Sequence, residues 1–434
     1  MSYLVLQGDA RHIPLADQSV HMICTSPPFF GLRDYNTGQW EGGSVSCEHR
    51  SPQLRYAAAH GTCGTCGAVR IDKQIGLEQN VAAYIENLLT VFRECWRVLR
   101  DDGCVFVEIG DSYNSVDKWG GGKNGNTGKH VVAADGQVPS WAVRNKRLPT
   151  PGLKPKDKCL IPHRFAIAMQ EDGWTVRQDI VWAKSNSMPE SVTDRCATAH
   201  SYVFHFTKQA RYFYDGDAIA EPIIKGAAGS TFTTGTTGVN GAGRVSQNER
   251  IERSTRTARS VWHLPTGQSD LPHYAMLNPE VIRRCVKAGS SQAGCCRTCR
   301  APYVRVTERT AMEIRRSDRG QNIFGGHSTA ASGTRRRPPT CRTLGFAPAC
   351  SCPDPGPPVP CRVFDPFGGP ASVARVAEHL GRHGISLDLS LAYCGLGRDR
   401  LRNDAPLFAD LTAPRGAGHH IQAPLWETEE HEPR

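Results

Sequence analysis

Two short stretches of this sequence combine residue types and spacings that suit chemistry. The first is Ser26-Pro27-Pro28-Phe29, which follows the apolar run 20–24. The run is typical of a buried strand, and consecutive prolines end it abruptly because they have no amide donors. The stretch therefore presents a hydroxyl, a rigidly directed carbonyl and an aromatic ring at a strand tip. The alternative is a rigid loop whose two phenylalanines only fill the core.

The second stretch starts at "DPFGGPAS", residues 365–372, and ends at Asp388. A strand leads into a glycine turn and a helix, and the next strand ends about twenty residues later in an acid. This layout can bind an adenosine, because the turn admits the ligand and the acid accepts from the ribose hydroxyls. The turn lacks the glycine run and Lys-Ser/Thr end that cradle phosphates, which disfavours a nucleoside triphosphate. The alternative is an ordinary βαβ unit.

Both stretches resemble motifs of the DNA amino-methyltransferases. Residues 365–372 are similar to the cofactor motif, usually Asp-Pro-Phe-x-Gly-Ser-Gly-Thr, and residues 25–29 are similar to the catalytic motif, (Asp/Asn/Ser)-Pro-Pro-(Tyr/Phe). Their order resembles the β-type enzymes, in which the catalytic motif comes first and the cofactor motif last. The resemblance covers roughly residues 3 to 402. It implies an α/β fold with a Rossmann-like methyltransferase sheet, a circularly permuted motif order and loop-rich insertions.

The resemblance also implies a reaction. S-adenosyl-L-methionine would donate a methyl group to an exocyclic amine of a base flipped out of double-stranded DNA. Ser26 and the Pro27 carbonyl would accept hydrogen bonds from the amine, and Pro28 would fix the direction of that carbonyl. Phe29 would stack on the flipped base.

The residue before Pro-Pro bears on the target base. In the resembling enzymes Asp or Asn there usually accompanies adenine, and Ser usually accompanies cytosine. Ser26 therefore favours N4 of cytosine, with N6 of adenine as the alternative. Cys24 is not expected to be a nucleophile, because the cysteine of carbon-5 methylation typically follows a proline. The Pro360-Cys361 pair meets that pattern but lies on the wrong element.

The expected cofactor site departs from the family pattern at two positions. Pro370 and Ala371 stand where the family has serine and its second glycine. Proline suits the start of a helix, whereas the Ala371 methyl could crowd the cofactor. A DNA-binding relative without catalysis is therefore a competing hypothesis. Asp9, after the first strand, is either an adenine contact or a simple turn aspartate. The residues expected at the cofactor are Asp9, Asp365, Phe367, Gly369 and Asp388.

The cysteines form two sets with the spacing of zinc ligands. Each set combines a Cys-x-x-Cys pair with a second pair of ligands, and zinc favours four such Cys or His side chains. Closed sites of this kind stabilise loops that lack a core, so we expect structural zinc, with free thiols as the alternative. The first set is Cys47, His49, Cys63 and Cys66, and the second is Cys296, Cys299, Cys350 and Cys352.

Composition fits this interpretation. Lys and Arg number 52 against 42 Asp and Glu, a formal net charge of +10 that suits a polyanion such as DNA. No apolar run approaches membrane-spanning length and no signal peptide begins the chain, so we expect a cytoplasmic protein without a membrane partner. A cognate restriction nuclease is a possible partner.

Hydrophobic periodicity predicts strands and helices in alternation. We expect strands at 4–6, 20–24, 104–109, 174–182, 362–364 and 384–387, helices at 79–100, 160–171, 372–380 and up to 401, and a hairpin at 201–214.

The same patterns predict how the chain is organised into segments. We expect a catalytic half (1–116) with a Cys/His insertion near 47–66, a flexible basic loop (117–158), a core continuation (159–220), a candidate target-recognition loop (221–260), a cofactor-side helix (261–290), a Cys-rich insertion (291–360), the cofactor-binding part (361–402) and a disordered tail (403–434).

Overall fold

The computed structural model describes residues 3–31, 35, 37–49, 62–114, 151–222, 255–267, 277–309, 313–316, 334–337 and 341–404. Most of the expected basic loop 117–158, most of the candidate recognition loop 221–260, and the tail beyond 404 lie outside the described residues.

Strands and helices follow one another along the described chain. The helices are α1 (Val81–Val98), α2 (Ile161–Glu171), α3 (Pro279–Gly289), α4 (Ser372–His379) and α5 (Leu391–Asp404). The strands are β1 (Leu4–Gln7), β2 (Val20–Thr25), β3 (Gln39–Glu41), β4 (Val69–Ile71), β5 (Leu99–Ile109), β6 (Thr175–Lys184), β7 (His200–Thr207), β8 (Glu221–Pro222), β9 (Thr255–Arg256), β10 (Val261–Leu264), β11 (Tyr303–Arg309), β12 (Glu313–Arg316), β13 (Thr334–Arg337), β14 (Cys341–Pro348), β15 (Arg362–Asp365) and β16 (His383–Asp388).

An eight-stranded sheet organises the molecule, in the order β1-β16-β15-β2-β5-β7-β6-β10. Strand β7 runs antiparallel to both of its neighbours, and the other strands are parallel to one another. The remaining strands form two-stranded sheets. A large, mostly parallel sheet with intervening helices confirms the predicted α/β class.

Helices bury the two faces of this sheet separately. Helices α1 and α2 contribute to one hydrophobic cluster, and α3 and α4 contribute to another. Helix α1 shows why hydrophobic periodicity is informative. Asn80 caps its first turn by accepting from the Ala83 amide, and a stripe that includes Tyr84, Leu88 and Phe92 is buried. The sheet is thus the middle of three layers, with helices on both faces. This arrangement leaves the carboxyl ends of the parallel strands free to build a site.

The hairpin predicted at 201–214 is wrong. The sequence forms one strand, β7, whose two edges are already paired with β5 and β6. Because β7 is inserted between two strands of the main sheet, residues 208–214 have no free edge of β7 to pair with. The alternation of aromatic residues, which suggests two strands, reflects burial of β7 on both faces instead.

The Ala371 methyl, at the end of the glycine turn 366–371 (the cofactor turn), packs against α5. Ala371 has a φ of 59° and is fully buried among residues that include Val5, Ala374 and Cys394. A Cβ placed on Gly397 of α5 would lie 3.0 Å from the Ala371 Cβ. The methyl group therefore packs on α5, where a glycine makes room for it.

Candidate active site

The two motifs meet at the carboxyl edge of the sheet. Strands β2 and β15 are neighbours although more than three hundred residues separate them, with Ile23 paired to Phe364. Strand β15 has its chain successor β16 on one side and β2 on the other. Such a switch in strand order opens a crevice outside the strand ends, where α/β proteins bind ligands.

Ser26 and Glu108 form a hydrogen-bonded pair at this edge. Thr25 pairs with Val107 in the parallel β2–β5 ladder, which brings the next residue of each strand together. The Ser26 hydroxyl donates to Glu108 Oε2 at 2.6 Å, and Glu108 is only 5% exposed. A serine hydroxyl has one hydrogen and two lone pairs, so this bond leaves the lone pairs as acceptors. The sequence motifs do not include Glu108, whose signal is an acid in the otherwise apolar stretch 104–109.

The Pro-Pro loop is held from α1. The Tyr84 hydroxyl donates to the Pro28 carbonyl at 2.8 Å, and Gly31 donates its amide to Gly76 at 2.7 Å. Because Tyr84 takes the Pro28 carbonyl, the adjacent Pro27 carbonyl is the one available for a substrate amine. These two hydrogen bonds and the two prolines together hold the loop rigid.

The two phenylalanines of the loop have different surroundings. Phe30 is 2% exposed and packs on Tyr84 with ring centroids 5.4 Å apart. Phe29 is half-buried and lies over Gly110, where an added Cβ would come within 2.5 Å of its ring. Phe30 thus belongs to the core, and Phe29 keeps part of its ring accessible at the strand ends.

The glycine turn approaches β16 too closely for a side chain. A Cβ on Gly368 would lie 1.8 Å from Ser386 Oγ, and the Gly368 amide donates to the Leu387 carbonyl at 2.8 Å. The Gly369 and Ser390 amides each donate to a different oxygen of Asp388 at 2.8 Å. Burial raises the pKa of Asp388, and these two amides oppose that shift.

These features fit the adenosine end of S-adenosyl-L-methionine. Bare backbone at the turn admits a close ligand, and each Asp388 oxygen keeps lone-pair capacity for a ribose hydroxyl after accepting one amide. Phe367 is partly buried beside the turn.

Asp365 joins the cofactor turn to the catalytic strand. Its Oδ1 accepts from the Phe367 amide at 3.0 Å and from the Thr25 hydroxyl at 2.5 Å. Burial raises its pKa to about 7, against the lowering effect of these two donors. Asp365 is therefore engaged inside the protein rather than open to a ligand.

Asp9 lies at the same edge but is paired within the chain. The Gly8 amide donates to the Asp388 carbonyl at 3.0 Å, so the end of β1 adjoins the cofactor turn. The Asp9 carboxylate accepts from Arg11 Nη2 at 2.8 Å, and Arg11 holds its pKa below the usual value despite partial burial. Its arrangement has the character of a turn aspartate with a local ion pair.

The cysteines near the motifs are buried thiols. Cys24 is 1% exposed, and the neighbouring Cys285 thiol together with burial raises its pKa well above the usual range. Cys361 precedes β15 and so lies at the opposite edge of the sheet from Ser26. Neither has the accessible, readily ionised thiol that nucleophilic attack requires.

Both predicted cysteine sets converge in the structure. Within each, the four ligand atoms lie within 4.8 Å of one another. Cys47 Sγ and Cys63 Sγ are 3.8 Å apart, and two sulfurs bound tetrahedrally to one zinc at 2.3 Å would be about 3.8 Å apart. Backbone amides of Thr65 and Cys66 lower the pKa of Cys63 to about 6. Amides of Cys299 and Thr298 likewise lower the pKa of Cys296 to about 7. The donor atoms and spacing fit structural zinc.

Comparison with known proteins assigns the family. The model of the DNA methylase family N6/N4 matches residues 20–296. The chain belongs to this family. The chain is 34% identical over 288 residues to the Type II methyltransferase M.Cfr9I of Citrobacter freundii, covering 66% of this chain and 72% of that protein. It is 32% identical over 294 residues to M.SmaI of Serratia marcescens, covering 67% and 76%.

A solved structure is also similar. The PvuII DNA methyltransferase (cytosine-N4-specific) matches with a TM-score of 0.45 and 11% identity, covering 95% of this chain and 89% of that one. The family itself consists of S-adenosyl-L-methionine-dependent DNA methyltransferases, which confirms the resemblance read from the two motifs. Among the described residues, no helix has the length and apolarity needed to cross a membrane.

Proposed function

We propose that this chain methylates the N4 amine of a specific cytosine in double-stranded DNA. The observation that carries the proposal is the Ser26–Glu108 hydrogen bond, 2.6 Å long, beside the cofactor turn. A neutral hydroxyl whose hydrogen is donated inward can only accept from a substrate amine. Two acceptors, Ser26 Oγ and the Pro27 carbonyl, match the two hydrogens of an exocyclic amine.

The residues of the chain act on the amine and its proton. When bound, S-adenosyl-L-methionine supplies a methyl group on a positively charged sulfur. Ser26 and the Pro27 carbonyl orient the amine so that its lone pair leaves conjugation with the ring, and the accessible part of Phe29 supports the base. The methylated nitrogen must then lose a proton. Ser26 Oγ can take this proton while passing its own hydrogen to Glu108.

Cytosine is preferred over adenine on two grounds. Serine before Pro-Pro usually accompanies cytosine in the resembling enzymes, and the smaller pyrimidine suits a site bounded by Phe29. N6 of adenine is the alternative, since the same displacement serves either amine. A DNA-binding relative without catalysis is less favoured, because the Ala371 methyl already has a packing partner at Gly397 of α5.

The test is nucleoside mass spectrometry of duplex DNA incubated with the purified protein and S-adenosyl-L-methionine. The proposal expects N4-methylcytosine. Finding N6-methyladenine alone would overturn the choice of base, and finding neither would overturn the proposed activity.

We assign roles to the expected cofactor residues from their positions at the carboxyl edge of the main sheet. We infer that Asp388 holds the ribose and that Gly369 and Phe367 border the ligand. Asp365 then supports the turn through its hydrogen bonds to Phe367 and Thr25, and Asp9 supports the end of β1 beside the turn rather than contacting the adenine. Because the catalytic strand precedes the cofactor strand in the chain, we interpret the topology as a circular permutation of the methyltransferase sheet. The relatives named Type II methyltransferases suggest a restriction-modification context with a cognate nuclease.

We propose that each cysteine set binds one structural zinc ion. Cys47, His49, Cys63 and Cys66 supply three thiolates and one imidazole near the catalytic loop. Cys296, Cys299, Cys350 and Cys352 supply four thiolates in the Cys-rich insertion. All four positions of each set are protein ligands, so the ions stabilise loops rather than activate water.

A further inference from the structure

The Thr25 hydroxyl crosses the crevice between the catalytic and cofactor strands. Backbone pairing of β2 with β15 ends at Ile23 with Phe364. Beyond that pair, the Thr25 hydroxyl donates to Asp365 Oδ1 at 2.5 Å. Thr25 is fully buried and Asp365 is 4% exposed, so water does not compete for this bond.

The Asp365 oxygen that accepts from Thr25 has a second donor. The Phe367 amide, the first after Pro366 in the cofactor turn, donates to the same Oδ1 at 3.0 Å. On the other side of Thr25, the next residue, Ser26, donates to Glu108. Two sets of hydrogen bonds, joined by the covalent link between Thr25 and Ser26, therefore connect the cofactor turn through β15 and β2 to β5.

We propose that Thr25 is a positioning residue that fixes Ser26 relative to the bound methyl donor. This inference rests on the proposed function, because it concerns where the accepting hydroxyl lies during methyl transfer. The Thr25–Asp365 bond ties the strand that carries Ser26 to the turn that borders the cofactor. Transfer between two bound partners depends steeply on their separation and angle, so a small displacement of Ser26 costs rate.

The hydrogen-bond donors around Asp365 oppose the effect of burial on its pKa. Thr25 and the Phe367 amide lower its pKa, whereas burial and the Asp388 carboxylate on β16 raise it to about 7. The thiols of Cys24 on β2 and Cys95 on α1 are the other titratable groups that the structure places near it. Removing the Thr25 hydroxyl takes away one of the donors that lower the pKa of Asp365. The pKa of Asp365 should therefore rise, and the acid limb of the pH–rate profile should move to higher pH with it.

The experiment compares Thr25→Val, Thr25→Ser and Thr207→Val with the wild-type protein. Thr25→Val removes the hydroxyl at nearly constant shape. Thr207→Val is the matched control, because Thr207 is also fully buried but its hydroxyl donates to the Gln209 carbonyl at the far end of β7. Single-turnover methyl transfer, KM for DNA and calorimetric binding of S-adenosyl-L-methionine are measured on each.

We expect Thr25→Val to slow transfer by about ten- to a hundredfold, the equivalent of one lost bond to a charged group, with KM for DNA changed less than about threefold. Thr25→Ser should restore the rate to within about threefold, and its pH–rate profile should match the wild type. Thr207→Val should transfer at the wild-type rate. The proposal is overturned if Thr25→Val transfers like the wild type, if Thr25→Ser fails to restore the rate, or if the acid limb of Thr25→Val does not move.

Failure of the proposed function gives a different result. If the wild-type protein methylates neither base, the activity assignment is wrong whatever the variants do. In that case, binding of S-adenosyl-L-methionine still tests whether the Thr25–Asp365 hydrogen bond supports the cofactor turn. Weaker binding by Thr25→Val than by Thr25→Ser supports a link to the cofactor turn, and equal binding contradicts it.

Discussion

At the scale of single residues, Asp365 is a carboxylate in a buried position, where its ionised form is disfavoured. It is buried between the cofactor turn and β2, and burial raises its pKa to about 7 from an ordinary value of 3.8. Between these two values the folded protein binds more protons than the unfolded chain. The free energy of unfolding attributable to Asp365 therefore falls as the pH rises through this window and is level above it. The protein gives up stability for an ionised acceptor in the site.

Asp365→Asn should reverse this loss. The amide keeps an oxygen for Thr25 and Phe367 but does not titrate. The free energy of unfolding of the variant relative to the wild type should increase by about 2–4 kcal/mol between pH 4.5 and pH 8. Urea unfolding at both pH values measures the change. A difference between variant and wild type that is the same at both pH values would show that Asp365 is not the titrating group.

Several residues of the site could be predicted from the sequence, and others could not. Ser26 and Asp388 stand in motifs whose strand–turn context is local, so their positions followed from neighbouring residues. Glu108 and Thr25 act through partners on other strands, and their pairing depends on the register between strands distant in the chain. For Asp9 the sequence leaves an adenine contact and a turn aspartate open, and it does not reveal the ion pair with Arg11. Register is a tertiary property that one sequence does not reveal.

At the scale of elements, the two cysteine sets stabilise segments with little core of their own. Strands β3 and β4 form a two-stranded sheet beside the first set, and β11 and β14 form another beside the second. Isolated two-stranded sheets are marginally stable in water. Four ligands converging on one ion replace the missing hydrophobic burial, so the metal should be retained through purification.

Elemental analysis of the purified protein should find about two zinc ions per chain. Cys66→Ser and Cys352→Ser should each lower the content by about one ion, because each variant removes a ligand from a different set. Cys196→Ser is the control, since Cys196 is exposed and lies outside both sets. Protein never exposed to chelator that contains no zinc would contradict both sites. Loss of both ions in one variant would mean that the sets are not independent.

The boundaries of an element can be predicted where its own hydrophobic pattern marks the residues that are buried. Helix α2 occupies Ile161–Glu171 and β16 occupies His383–Asp388, each within a residue or so of the periodic pattern. The hairpin expected at 201–214 failed because alternation cannot distinguish a strand paired with its own continuation from one inserted between two others. Strand β7 has the second arrangement.

At the scale of the whole molecule, the sheet order brings together the ends of the chain. Strand β1 pairs with β16 and β2 pairs with β15, so the first and last parts of the described core form one half of the sheet. The catalytic motif and the cofactor motif become neighbours only through this arrangement. The sequence could predict each motif and their order, whereas the crevice between them depends on the complete sheet.

The central claim is that Ser26 and Glu108 act as one unit on the substrate amine. Its direct test is the single-turnover rate of methyl transfer, at saturating S-adenosyl-L-methionine and DNA, for Ser26→Ala, Glu108→Gln and the double variant. Glu86→Gln is the control, because that side chain is 64% exposed on α1. Each single variant should be slower by about a hundredfold or more, and the double variant should be about as slow as Ser26→Ala alone. Single variants that transfer at nearly the wild-type rate, or losses that multiply in the double variant, would contradict the account.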